Sequence, residues 1–327
     1  KGRQILKELV EKCDVILENF APGVIGRMGL DWETVKSLNP KAVMCSISAF
    51  GQTGPLAPLP GFDYIAQAYA GVTDMIGDAD GPPSIPQLAL GDVGTGVHAA
   101  CAIGYALLHR ERTGKGQFLD ISLLDCYFHA HEANVELYSG TQGKVVPTRN
   151  GSQLYSLVPV GVYRSKEGYI LILAHMENHW KNLCGVIGNE ALTTEERFTD
   201  PKTRIRAKEE IVAIIEQWLQ AQESDQAAIE LLQQAHVPVA PVLTIGEAIS
   251  HPHLVERGTV QTVNDRILGE FKIPGNPLRY SEFPEPLPLD APFLGEHNKE
   301  VLTEILAYSD EDVAAMESEK IIRQTTY

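Results

Sequence analysis

Between residues 3 and 12, Ile5, Leu6, Leu9 and Val10 fall on one face at helical spacing, which predicts an amphipathic helix. Asp14-Val15-Ile16-Leu17 then reads as a short buried strand, and Glu18-Asn19-Phe20-Ala21-Pro22-Gly23 as the polar turn after it. Asp31 has the chemistry of an N-cap for a helix over 32–38, with Pro40 as its stop. Residues 42–47 are β-rich and apolar, a second strand. Strands that are continuously apolar are buried on both faces. Their alternation with helices predicts an α/β fold with a mostly parallel, Rossmann-like sheet.

The pattern continues with Gly/Pro-rich loops at 51–60 and 77–86 on either side of a helix over 62–72. A strong helix is predicted for 97–109, then a basic turn through 116, a strand over 117–123 and a helix over 124–139. Ser139 to Gly143 is a linker candidate. Beyond it, Val162-Tyr163-Arg164 and Tyr169 to Leu173 flank the turn Lys166-Glu167-Gly168, which reads as a hairpin. Helices follow near 177–187, 205–221 and 224–235, then Pro-punctuated short strands over 258–292 and two terminal helices near 296–307 and 310–322. The organisation expected is a large α/β domain over 1–140, a linker with a small α+β domain over 141–254, and a return of 255–327 to the large domain.

Charge narrows the functions. Twenty-seven basic against 43 acidic residues leave a net charge of −16, which repels phosphate backbones and anionic lipid. No nucleic acid or membrane-surface role is expected. The five cysteines form no Cys-x-x-Cys pair, and they read as buried free thiols of a reducing cytoplasm. Apolar runs are too short and interrupted to span a bilayer. Lys1-Gly2-Arg3 is not an initiator, and a helix is already under way by Gln4, so the first elements of the fold are expected to be missing.

The most informative stretch is Leu90-Gly91-Asp92-Val93-Gly94-Thr95-Gly96-Val97-His98, one acidic side chain among three glycines before an apolar helix. Locally it supports three readings. Asp92 is an N-cap or Asx-turn residue and the glycines permit the turn. Alternatively, Gly91-x-x-Gly94-x-Gly96 is a dinucleotide loop of an NAD-dependent oxidoreductase, after a short strand at 86–90 and with Asp120 placed for a ribose contact. In the third, Asp92 is a nucleophile whose glycine neighbours admit a thioester and whose helix N-terminus favours negative charge. His129-Ala-His131-Glu132 has metal-ligand composition, but side chains at i and i+2 of a helix point apart, so no metal site is expected.

Residues 91–98 together with Leu107-Leu108-His109-Arg110-Glu111-Arg112-Thr113-Gly114-Lys115-Gly116-Gln117 resemble the central block of family III coenzyme A transferases. The resemblance extends upstream through Glu18-Asn19-Phe20, Pro22-Gly23, Met28-Gly29-Leu30, Ser46-Ile47-Ser48-Ala49-Phe50-Gly51, Gly54-Pro55, Gly61-Phe62-Asp63 and Gln67-Ala68. Downstream it includes His251-Pro252, Arg257-Gly258, Gly275-Asn276-Pro277 and Ser281. It implies that Asp92 attacks an acyl-CoA, that CoA passes from donor to a carboxylic acid acceptor through acyl-aspartyl anhydride and aspartyl-CoA thioester intermediates, and that the helix N-terminus keeps Asp92 ionised. It further implies coenzyme contacts at Asn19, Phe20 and Arg27, an acidic group near the nucleophile at Asp63, and oxyanion donors near Gly94 and Gly96. No tightly bound cofactor is implied; the CoA thioester is a cosubstrate, with succinyl-CoA the donor suggested by the family. The partners implied are small carboxylic acids and a second copy of the chain, in an interlocked homodimer. The related α-methylacyl-CoA racemases stand as an alternative, but they carry a proton-shuttling histidine in a Gly-His-Asp sequence where this chain has Gly61-Phe62-Asp63. His98 is the substitute base to consider there, and its helical context reads as core packing.

Overall fold

The computed structural model describes residues 1–283 and 289–325. The chain divides into two units, one of Lys1–Gly77, Pro82–Pro147 and Pro292–Tyr327, the other of Asp78–Gly81 and Thr148–Ala291. Residues 255–291 therefore group with the second unit. The return to the first comes near 292 rather than at the expected 255, because the hairpin below lies in that stretch. Residues 284–288 of the Pro-punctuated segment lie outside the described residues.

In the first unit, strands β1 (Val15–Glu18), β2 (Val43–Ser48) and β3 (Gln117–Ser122) form a parallel sheet in that order. Their register aligns Glu18, Ser46 and Asp120 in one row near the carboxyl ends. Helix α1 (Gly2–Lys12) precedes β1; α2 (Val24–Arg27) and α3 (Trp32–Leu38) connect β1 to β2. Asp31 caps α3 by accepting the Thr34 N–H at 2.9 Å, which also lowers its own pKa. Val10, Leu30, Val35, Ala42 and Met44 make the core on this side, and Ile5 packs with Leu302, Val313 and Met316 from the C-terminal segment.

Helices α4 (Asp63–Tyr69), α5 (Leu90–Thr113), α6 (Leu123–His129) and α7 (Ala133–Gly140) complete the part that carries the site. The strand expected at 86–90 does not form. Instead α5 begins at Leu90, seven residues before the expected 97, and it contains Gly91, Gly94 and Gly96. Each glycine costs a helix interior roughly 1 kcal/mol relative to alanine, so local propensity argued for a loop. The helix expected over 124–139 is two helices, broken where Glu132 takes φ +49°. Of the five thiols, Cys45 and Cys184 are buried while Cys101 is exposed, which corrects the expectation of uniformly buried cysteines.

The second unit pairs β4 (Val160–Arg164) with β5 (Tyr169–Leu173), the hairpin read from sequence, and adds an unpredicted antiparallel strand β6 (Val239–Pro241). Helix α8 (Glu177–Ile187) and helices Lys208–Gln220 and Asp225–Gln234 cover this sheet through Trp180, Leu183, Ile211, Ile215 and Leu232. Strands β7 (Val260–Asp265) and β8 (Gly269–Pro274) form a separate antiparallel hairpin.

Candidate active site

Asp92 occupies the first turn of α5, and its side chain is exposed. The orientation of α5 follows from its connections. It runs down to Thr113, turns at Gly114 (φ +72°) and feeds β3, so its N-terminus lies at the carboxyl edge of the parallel strands. The segments leaving β2 and β3 are tied together at this edge: Leu124 N–H donates to Ala49 C=O at 3.0 Å. Ligands of open α/β sheets bind at this edge. Asn19 and Phe20 emerge there from the end of β1, both exposed, and the buried Glu18 fixes the turn by accepting the Phe20 N–H at 2.8 Å. Arg27 ends α2 with its guanidinium beside Gly23, where φ is +81°. Asn19, Phe20 and Arg27 thus all lie in the segment from the end of β1 to the end of α2.

Around Asp92 the geometry is set by Asp63. Gly61 makes the step into α4 possible: a Cβ there would lie 2.5 Å from Ala49 Cβ and 2.9 Å from Phe50 Cε2. The chain then splits its next two side chains. Phe62 is 81% exposed and Asp63 only 6%. Asp63 Oδ2 accepts the Asp92 backbone N–H at 2.8 Å, and its Oδ1 accepts a short hydrogen bond from the Tyr127 hydroxyl. Asp63 thus does not cap its own helix. The acidic group that the resemblance implies near the nucleophile has both oxygens engaged inside the protein. Helix α5 has no side-chain N-cap of its own, and Asp63 supplies from another helix the acceptor its first turn lacks.

The electrostatics also depart from expectation. The helix N-terminus was expected to depress the Asp92 pKa, yet its carboxyl lies above the ordinary aspartate value. Partial desolvation is the larger cause and the Asp63 charge the second. Burial, with the Asp63 hydrogen bond next, pushes the Tyr127 phenol up to about 12, so it remains a donor at neutral pH. Gly94 and Gly96 sit inside α5, where backbone N–H groups belong to the i→i−4 ladder, so these amides are not free oxyanion donors. For the same reason the Gly91–Gly96 stretch is not a dinucleotide loop.

A cavity of about 310 Å³ runs beside the same turn, lined mainly by apolar groups including Val72, Met75, Ile76 and Leu90, with Gly91, Gly94 and His98 on its α5 side. His98 was expected in the core. It is exposed instead, with Nδ1 2.7 Å from the Gly94 carbonyl oxygen and its ring edge-to-face with His129 at 5.8 Å. His131 turns the other way, its Nε2 2.6 Å from the Ala70 carbonyl oxygen, so His129 and His131 diverge. Among the described residues no group of three or more His, Cys, Asp or Glu could hold a metal ion, and no helix is long and apolar enough to cross a membrane. Sequence reasoning missed Tyr127 and Thr73 and gave Gln67 no role. The one available signal was that a buried Asp63 must find donors.

Comparison with known proteins gives this geometry its context. The chain is 33% identical over 336 residues to the formyl-CoA:oxalate CoA-transferase of Bradyrhizobium diazoefficiens, covering 96% of this chain and 78% of that protein. It is 29% identical to the human succinyl-CoA:glutarate CoA-transferase, over 99% of this chain and 73% of that one. Among solved structures, a CAIB/BAIF family protein from Brucella suis superimposes with a TM-score of 0.77 at 29% identity, covering 93% of this chain and 78% of that one. The profile of CoA-transferase family III matches residues 1–298, and the chain belongs to that family of enzymes.

Proposed function

We propose that this CoA-transferase works through Asp92 as the nucleophile. The supporting observation is its exposed carboxylate on the first turn of α5, at the ligand-binding edge of a parallel sheet, with its backbone tied to the interior through Asp63. The ionised carboxylate attacks the donor thioester carbonyl; the C–S bond breaks, CoA leaves as thiolate, and an acyl-aspartyl anhydride remains. The thiolate attacks the aspartyl carbonyl, releasing the donor acid and leaving an aspartyl-CoA thioester. An acceptor carboxylate attacks that thioester and expels the thiolate, which then takes the acceptor acyl group and frees Asp92. A carboxyl whose pKa lies above the ordinary aspartate value is a more basic nucleophile than a free aspartate. The N-terminal end of the α5 dipole faces the charge that develops on each tetrahedral adduct.

Relatives named for transfer between succinyl-CoA and glutarate, formyl-CoA and oxalate, and succinyl-CoA and D-citramalate support a small acyl-CoA donor and a small carboxylate acceptor. Asn19, Phe20 and Arg27 are the coenzyme contacts of this reading, in a cytoplasmic homodimer. The racemase alternative lacks its base at Phe62. The test combines trapping with exchange. Incubation with succinyl-CoA and hydroxylamine or borohydride should modify the peptide containing Asp92. A screen of succinyl-CoA and formyl-CoA against glutarate, oxalate and citramalate should show exchange that Asp92→Ala abolishes. An unmodified Asp92 peptide alongside active exchange would overturn the assignment.

A further inference from the structure

The side chains behind Asp92 form a directed chain that the reaction as written does not use. Thr73 Oγ1 donates to Gln67 Oε1 at 3.0 Å, and Gln67 Nε2 donates to the Tyr127 hydroxyl at 3.3 Å. Tyr127 in turn donates to Asp63 Oδ1, and the Asp92 N–H donates to Asp63 Oδ2 at 2.8 Å. Gln67 has no exposed surface, while Asp63 and Tyr127 are 6% and 5% exposed. Donors aligned head to tail polarise one another, and inside a protein such a chain is stronger than its separate bonds. A buried carboxylate facing an exposed one is costly unless donors hold it. Here two donors converge on Asp63, one of them drawing on a relay two side chains deep. The Tyr127 ring lies against Gly91, where a Cβ would stand 2.3 Å from Tyr127 Cε2, so the hydroxyl reaches Asp63 only because residue 91 has no side chain.

We propose that Tyr127, backed by Gln67 and Thr73, is a positioning residue of the transfer reaction: it holds the Asp63 carboxylate in place against the first turn of α5 and thereby fixes the Asp92 carboxylate for attack. The inference depends on Asp92 being the nucleophile. It assigns Tyr127 no contact with substrate. The relay predicts a specific kinetic signature, because a group that only aims the nucleophile changes the chemical step and leaves coenzyme affinity alone.

The test uses the full chain with succinyl-CoA as donor and follows the rate of hydroxylamine trapping at Asp92 together with steady-state exchange. Tyr127→Phe removes the hydroxyl and keeps the ring. Loss of a hydrogen bond to a charged group predicts a fall in kcat and in trapping rate of about 10- to 100-fold, with KM for the acyl-CoA changed less than about twofold. Asp63→Asn should give a similar loss, and the double variant should be little worse than either single one, since both break the same link. Thr73→Val, at the far end and half-buried, should give a smaller loss in the same direction. A Tyr127→Phe enzyme with kcat and trapping within twofold of the parent, or two single losses that multiply in the double variant, would overturn the proposal. If Tyr127→Phe does not fold, an unchanged trapping rate in Thr73→Val counts against it equally. Trapping or exchange that survives Asp92→Ala would instead refute the nucleophile assignment, whatever the Tyr127 result.

Discussion

The three glycines at the start of α5 are equivalent in the sequence pattern, and the structure separates them. A Cβ on Gly91 would lie 2.3, 2.9 and 3.0 Å from Cε2, Cζ and Cδ2 of Tyr127, whereas Cβ atoms on Gly94 and Gly96 would meet nothing within 4 Å. An ordinary carbon contact begins near 3.4 Å, so Gly91→Ala forces a ring displacement of roughly 1 Å. The ring is pinned by hydrogen bonds to Asp63 and Gln67, so it cannot yield freely. Overpacking of this kind costs about 1–3 kcal/mol, against a gain of about 1 kcal/mol in helix propensity. Gly94→Ala and Gly96→Ala keep the gain without the clash. The expected spread between Gly91→Ala and the other two is therefore about 1–3 kcal/mol, read as a difference in urea midpoint at constant m. Activity should separate the same way, because a displaced ring loosens Asp63 from the Asp92 amide. If Gly91→Ala is as stable as Gly94→Ala, or if all three lose stability alike, the packing argument fails.

Two further outcomes follow from particular contacts. In the proposed mechanism Asp92 attacks as the anion, and the Asp63 charge is one cause of its raised pKa, so Asp63→Asn should move the acidic limb of kcat/KM to lower pH. Tyr127 stays protonated across that range, and a limb that stays put or moves upward would refute the coupling. In the second unit, Arg204 is wholly buried over the Trp180 ring, with one 3.4 Å contact to Glu177 and with its Nε and Nη1 atoms unpartnered. Burying a charge so sparsely paired is unfavourable, so Arg204→Met should be neutral or stabilising, while Glu177→Ala should destabilise by leaving the cation alone. Thermal unfolding of the two variants decides it, and a large loss in Arg204→Met would contradict this account.

Much of the fold was legible because its signals are local. The apolar face of α1, the unalternating strands β1 and β2, the Asp31 cap and the β4–β5 hairpin each declare themselves within about ten residues. The start of α5 was not legible, because what holds it is a carboxylate 29 positions away in sequence. The break between α6 and α7 and the strand β6 were hidden for related reasons, one a single positive-φ residue and the other three residues paired only by tertiary contact. In the site, Asp92 stood out by its motif, while Tyr127 gave no local sign among the apolar residues of a helix. The direction of the Asp92 pKa shift was misread because the dipole argument left out desolvation and a second carboxylate that only folding brings close.

The step at Gly61 leaves adjacent residues with opposite freedoms. Asp63 is locked by both of its oxygens, whereas the residue before it projects into solvent. Position 62 is thus an open variable next to a fixed one: its side chain can change in size, charge or acidity while the backbone that aims Asp92 stays as it is. A scaffold built this way can acquire new chemistry at its rim by single replacements, with no redesign of the interior that supports them.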